Sequence, residues 1–227
     1  AGAVLGTIGT ASLSKVKKAE QIPFATIPII FAIQQVCEGF VWLSFSRETF
    51  MPWHNQLVYG FLFFAQILWP SFLPLSILWL ENDPVRKKWL RMIALCGIMA
   101  SVVTAYRLIN YPVIAEIKEH HVYYGFHAPN MFVVVTSVLY FIATIFPGYL
   151  SGIKHMKLLA SLLLCSLIVS KIFYSVYLIS VWCFFAALLS VVVVYVLKNS
   201  HLKETNHSHL DHLNLTGDYK KDHGLEQ

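Results

Sequence analysis

Glu38 sits in the apolar run FAIQQVCEGFVWL and is the one acidic residue of 12 that falls well inside a stretch fit to cross a membrane. A charge at that depth costs about 2.5–3.5 kcal/mol on insertion scales, so it needs a partner, a cavity or a proton. Gln34 and Trp42 lie four residues to either side and share its helix face, and Gln35 at i−3 widens the polar stripe. Gly39 lets another backbone approach. Two kinds of chemistry suit such a stripe. One is a site for an ion, a proton or a small ligand; the other is a polar seam that joins helices by hydrogen bonds.

Other polar groups fall at a similar depth. Gln66 lies near the middle of a third apolar run. Tyr106, Arg107 and Asn110 lie at the outer edge of a fourth, His127 just ahead of a fifth, and Lys171 near the end of a sixth. An ion pair of Glu38 with Arg107 or Lys171 follows from depth alone; snorkelling of both cations to headgroups is the alternative. The outer loop adds His121 and Tyr123. The candidate ligand-binding set is therefore Gln34, Gln35, Glu38, Trp42, Gln66, Tyr106, Arg107, His121, Tyr123, His127 and Lys171.

The elements that must position these residues are membrane helices. The chain has 227 residues, 57% hydrophobic and 13% charged, where a soluble domain carries roughly 25% charged. The aromatic share is 15%, which suits lipid-facing helices with interfacial belts. A crossing takes about 20 apolar residues. The runs are 1–14, 23–46, 56–80, 89–109, 129–146, and one long stretch, 158–197, that splits near Tyr174 to Leu178. The Trp69-Pro70 pair and Pro74 should kink the third. The first run is short and begins without a Met, which implies residues ahead of it; it lacks the basic start of a signal peptide. Gly2 and Gly6 form a small-xxx-small pair suited to close helix packing.

These runs predict an all-α bundle of seven transmembrane helices over residues 1–198. Charge fixes its direction. Lys15, Lys17, Lys18, Arg86, Lys87, Lys88, Arg91, Lys154, Lys157, Lys198, Lys203, Lys220 and Lys221 fall on one side, 13 of the 17 Lys and Arg. The positive-inside rule makes that side cytoplasmic and the start of the chain external. The outer connection between helices 4 and 5 reads as a short β-hairpin over Val113 to Tyr124, with a disordered loop as the alternative. Residues 199–227 read as a polar cytoplasmic tail. Its His207, His209 and His212 are irregularly spaced, a weak pattern for a metal.

No cofactor is implied. Cys37, Cys96, Cys165 and Cys183 lack CxxC spacing. No His or Asp lies deep in a run, and Lys171 is not in the last one, against haem, zinc-hydrolase and retinal chemistry. The positive charge is accounted for by topology and needs no nucleic acid.

The stretches QQVCEGFVWL and SVWCFFAALLS resemble a family of bacterial and archaeal integral membrane proteins of unknown function, over roughly residues 1–197. The resemblance implies a multi-pass protein of the prokaryotic cytoplasmic membrane, with a Cys-containing segment ahead of the first helix that this chain lacks. It also implies a His near a Tyr in the outer loop, similar to His121-Val122-Tyr123. It supplies no reaction or ligand. Three functions compete. The first is binding or transport of a small molecule or ion through an outer-half polar cavity around Glu38. The second is a non-catalytic subunit paired with another membrane protein or a second copy. The third is an enzyme on lipid-like substrates with Glu38 or His121 as acid or base, a reading weakened by the lack of any nucleophile motif.

Overall fold

Backbone in hydrocarbon must satisfy its own hydrogen bonds, so the apolar runs fold as helices. The computed structural model describes residues 2–198. The expected tail and its His207, His209 and His212 lie outside the described residues.

Nine helices follow one another among the described residues: α1 Gly2–Leu13, α2 Ile22–Ala25, α3 Ile27–Ser46, α4 His54–Leu62, α5 Trp69–Leu80, α6 Pro84–Asn110, α7 Asn130–Leu150, α8 Met156–Phe173 and α9 Leu178–Leu189. Helix resumes after α9 and runs to residue 198. Counting through their 3₁₀ and π turns, six helices are long and apolar enough to cross a membrane: Ala19–Ser46, Met51–Leu80, Pro84–Asn110, Asn130–Leu150, Met156–Phe173 and Ser175–Lys198. This is an all-α, membrane-type fold. α1 is apolar, but its 12 residues reach only about 18 Å, short of a bilayer core of about 30 Å.

The surface supports membrane embedding. Met92, Leu95, Met99 and Val102 recur along α6 at helical spacing, and each is more than half exposed. An apolar stripe of this kind seeks lipid or a partner. α6 starts on a conventional cap: the Asp83 carboxylate accepts from the backbone N–H groups of Val85 and Arg86, and those bonds hold its pKa below the usual carboxylate value.

The glycines of α1 act differently from the expectation. Gly2 and Gly9 carry the contact: a Cβ on Gly9 would lie 2.2 Å from Ile29, and one on Gly2 2.8 Å from Val36. Gly6 faces open space. The pair that meets α3 is thus spaced by seven residues, two helical turns, and not by four.

The helix Met51–Leu80 changes its winding ahead of Pro70 and Pro74. Phe63–Leu68 is a π-helical turn, in which the Trp69 N–H reaches back to the Phe64 carbonyl. Pro70 brings no N–H, and the wide turn leaves carbonyls for side chains. Tyr140 Oη donates to the Ala65 carbonyl (2.9 Å), and Ser101 Oγ to that of Ile67 (2.6 Å). α6 and α7 are thereby fastened to that turn. Pro74 likewise cannot serve the Pro70 carbonyl. Gly97 of α6 packs there so closely that a Cβ would lie 1.8 Å from that oxygen.

The hairpin forms as expected. β1 Val113–Lys118 pairs antiparallel with β2 His121–Phe126, Val113 opposite Phe126 and Lys118 opposite His121. Glu119 and His120 make the two-residue turn, both at positive φ (47° and 65°), as a primed hairpin turn requires. The break between the last two helices falls where expected, in a 3₁₀ turn at Ser175–Tyr177.

Two apolar clusters fill the bundle. One, at the end away from the hairpin, gathers Phe24, Ile27, Phe31, Trp69, Leu73, Ile77, Leu90 and Met156. The other lies beneath the hairpin and includes Val41, Phe61, Leu62, Leu108, Val122, Tyr124 and Cys183. The polar residues of α3 sit between them.

Candidate functional site

The α3 stripe is divided between two neighbours. Glu38, 7% exposed, accepts from Ser180 Oγ of α9 at 2.5 Å and from Gln35 Nε2 at 3.3 Å. Gln34 is fully buried and accepts from the Trp69 indole N–H at 2.5 Å, while Trp69 stacks on Phe31 with centroids 4.0 Å apart. Gln34 Nε2 is buried beside the Cys183 thiol of α9. Trp42 packs against the cluster beneath the hairpin.

Arg107 is 3% exposed. It donates from Nη2 to Gln66 Oε1 (3.0 Å) and from Nη1 to Thr136 Oγ1 (3.5 Å), and its guanidinium carbon lies 4.4 Å from the centre of the Phe126 ring. Its Nε–H is buried without a partner. The expected ion pair of Glu38 with Arg107 or Lys171 is therefore not formed. The reason is topological: α3 packs on α1, α4 and α9, whereas α6 packs on α5, α7 and the wide turn.

A cavity of about 720 Å³ opens beside Arg107, within the usual span of about 300–1,000 Å³ for small-ligand sites. The wide turn contributes Ala65 and Gln66, α6 Thr104 and Arg107, and α7 Thr136, Ser137 and Tyr140. α8 adds Leu164, Ile168 and Lys171, and the hairpin adds Val122, Tyr124 and Phe126. Tyr140, Trp182 and Cys183 also line a smaller apolar void of about 50 Å³, so they act as a floor between the two spaces. Tyr140 and Trp182 meet edge to face at 5.6 Å, and the Trp182 indole donates to Ser166 Oγ at 3.2 Å.

Of the expected site residues, Gln66, Arg107 and Lys171 share this cavity. Glu38, Gln34 and Gln35 do not line it. The hairpin residues are displaced by one position. Side chains alternate across a strand, and β2 turns Val122, Tyr124 and Phe126 inward. His121 instead lies against Tyr174 and Tyr177 (5.3 and 5.0 Å), and Tyr123 lies 4.1 Å from Lys118 Nζ. Tyr106 is half exposed beside Phe132. His127 is exposed and bonds through its backbone to Pro112. None of these four lines the cavity.

Tyr124 was not among the expected residues; the alternation of β2 is the signal that would have found it. It stacks on Phe61 at 5.1 Å. Its hydroxyl is buried without a partner. Burial, with a smaller contribution from the charge of Glu38, pushes its pKa well above the ordinary phenol value, so it remains a donor. Thr136, Tyr140 and Ser180 carry no such signal, because isolated hydroxyls in apolar runs usually bond their own helix.

Among the described residues, no group of three or more His, Cys, Asp or Glu comes together as a metal site. What the arrangement offers is a roomy cavity lined by Gln66, Arg107 and Lys171, with two unpaired donors enclosed in its wall.

The fold and this site define a helical, membrane-type protein with a polar-headed cavity under a β-hairpin. The chain belongs to a family of unknown function, DUF6629, whose profile matches residues 1–208. The match runs 11 residues past the expected limit at Leu197 and into the tail. No curated protein and no solved structure matches the chain.

Proposed function

We propose that this is a multi-pass protein of a cell membrane that binds a small molecule in the cavity beneath its hairpin. The basic residues Lys15, Lys17, Arg86, Lys87, Lys154 and Lys157 flank connections at the end opposite the hairpin. The positive-inside rule puts that end in the cytoplasm and the hairpin outside. Counted with α1, which covers only part of the bilayer depth, the chain then has seven membrane helices, Gly2 toward the outside and residue 198 inside.

One observation carries the binding reading: Arg107 lines the cavity, and its Nε–H, enclosed in the wall, has no partner among the described residues. An unpaired buried donor costs about 1–3 kcal/mol, more when charged, and a ligand acceptor would relieve it. Glu38 changes role. Its bonds to Ser180 and Gln35 make it a tie between α3 and α9 behind the cavity wall, which is the seam reading of the stripe. The ligand-facing cation is Arg107.

The test is cryo-electron microscopy of the chain purified in native lipid, with mass spectrometry of what co-purifies. Density for a non-protein molecule against Arg107 is expected, and Ile168→Trp, which fills the cavity from α8, should remove it. A cavity holding only water, with no co-purifying small molecule, would refute binding there.

A further inference from the structure

The cavity's charge and its flank together indicate what it takes. Among the described residues two cations line it, Arg107 and Lys171, and no Asp or Glu does. Lys171 has no hydrogen bond or ion pair among the described residues. Arg107 Nε and Tyr124 Oη are two unpaired donors on residues 3% and 6% exposed, both at this wall. The two buried unpaired atoms here, Arg107 Nε and Tyr124 Oη, can both donate, and Lys171 adds a second positive charge. The complement is an anion.

The lining also holds Gln66, Thr104, Thr136, Ser137 and Ser175, and much of its apolar part lies on α8 and the segment after it. α7 and α8 touch at the end away from the hairpin, where Gly148 admits Ala160 (an added Cβ would lie 2.7 Å from its Cβ) and Tyr149 Oη meets Ser161 Oγ at 3.0 Å. Toward the hairpin, Phe141 of α7 and Ile168 of α8 both line the cavity. Ile168 is 48% exposed and the lining residue Ile172 67%. The exposed part of the lining thus includes α8 residues on the flank of the helices, where a membrane protein meets acyl chains.

We infer that the cavity binds a single-chain amphiphile with an anionic head, a carboxylate or a phosphate, which enters sideways between α7 and α8. The head is held by Arg107, Tyr124 and Lys171. The chain lies along Phe141, Leu164 and Ile168. Charge-assisted bonds from Arg favour carboxylate and phosphate over neutral heads. This inference rests on the binding proposed above and specifies its ligand.

The experiment uses the full chain in nanodiscs of phosphatidylcholine. Binding of palmitic acid, lysophosphatidic acid, methyl palmitate and inorganic phosphate is measured by displacement of a fluorescent fatty acid and by native mass spectrometry. At least one acidic amphiphile should bind roughly tenfold or more tightly than the methyl ester. Palmitic acid alone assigns a carboxylate head; lysophosphatidic acid alone assigns a phosphate head. Lys171→Met, at an exposed position where folding is not at stake, should weaken the acids and leave the ester unchanged. Equal binding of acid and ester overturns the inference. Phosphate binding as tightly as the amphiphiles overturns the role of the chain and leaves the cavity proposal standing. Failure of all four probes, together with no co-purifying molecule, removes both.

Discussion

Glu81 and Arg107 are buried charged side chains at opposite ends of the bundle, 4% and 3% exposed. Glu81 is saturated. One carboxylate oxygen accepts from Ser151 Oγ (3.0 Å) and the Gly152 N–H (2.7 Å), the other from the N–H groups of Asn82 (3.1 Å) and Asp83 (3.3 Å). It fastens the turn before α6 to the turn after α7, and Gly152 lies so near Arg86 that no Cβ fits between them. Arg107 has partners too, but its enclosed Nε–H has none among the described residues, and the residue lines an open cavity. Burial alone thus does not separate a structural charge from a binding one. The count of unmade bonds does, together with the space beside them.

The comparison breaks most visibly at Glu81. Glu81→Ala strands four donors, two of them on a neighbouring turn, and should cost about 1–3 kcal/mol, the range for leaving buried donors unsatisfied. Unfolding in detergent, followed by fluorescence or by protease resistance, reads this out. Ligand affinity in the folded fraction should not change. A loss below about 1 kcal/mol would mean that Glu81 is only an exposed-type contact.

Gly97 sharpens the middle of the molecule. Gly97→Val drives side-chain atoms into the Pro70 carbonyl and should destabilise by about 1–3 kcal/mol through overpacking. It should also disturb binding, because the displaced segment follows directly on the wide turn that carries Gln66, the partner of Arg107. A variant that loses stability and keeps full affinity would separate the wide turn from the site.

Arg107 should behave in the opposite way to Glu81. Arg107→Met removes a buried charge whose bonds are incomplete, and such replacements are often neutral or stabilising. Stability should shift by less than about 1 kcal/mol, while affinity for the cavity ligand falls roughly tenfold or more. Unfolding and displacement assays on one preparation give both numbers. If Arg107→Met unfolds the protein as Glu81→Ala does, the two ends are alike and the contrast fails.

The sequence made the helices legible because hydrocarbon leaves a chain few options, and the break at residues 174–178 and the hairpin followed from length and alternation. It hid the partners. Depth placed Glu38, Arg107 and Lys171 at one level, but depth says nothing about which way a helix is turned about its axis. Arg107 consequently bonds Gln66 and Thr136, and Glu38 bonds Ser180. In the hairpin, His121 and Tyr123 drew attention by residue type. A strand gives one face to each parity, so choosing the odd residues chose the wrong face. Glu81 was passed over because it ends a span, and its four bonds come largely from backbone that no side-chain motif announces.

The smallest effect concerns the hairpin over the cavity. His120 holds φ at 65°, a conformation that costs a non-glycine residue about 1 kcal/mol. His120→Gly removes that penalty, but it also gives the unfolded chain more freedom. The net change in global stability should therefore be small, within about 0.5 kcal/mol. The turn sits at the far end of the hairpin from Phe126, beyond the strand residues that line the cavity. Affinity should be unaltered, and hydrogen exchange of the Val122 and Tyr124 amides should slow or stay the same. Faster exchange with weaker binding would show that the strained turn presses β2 onto Arg107, making the hairpin part of the site's stability and not only its cover.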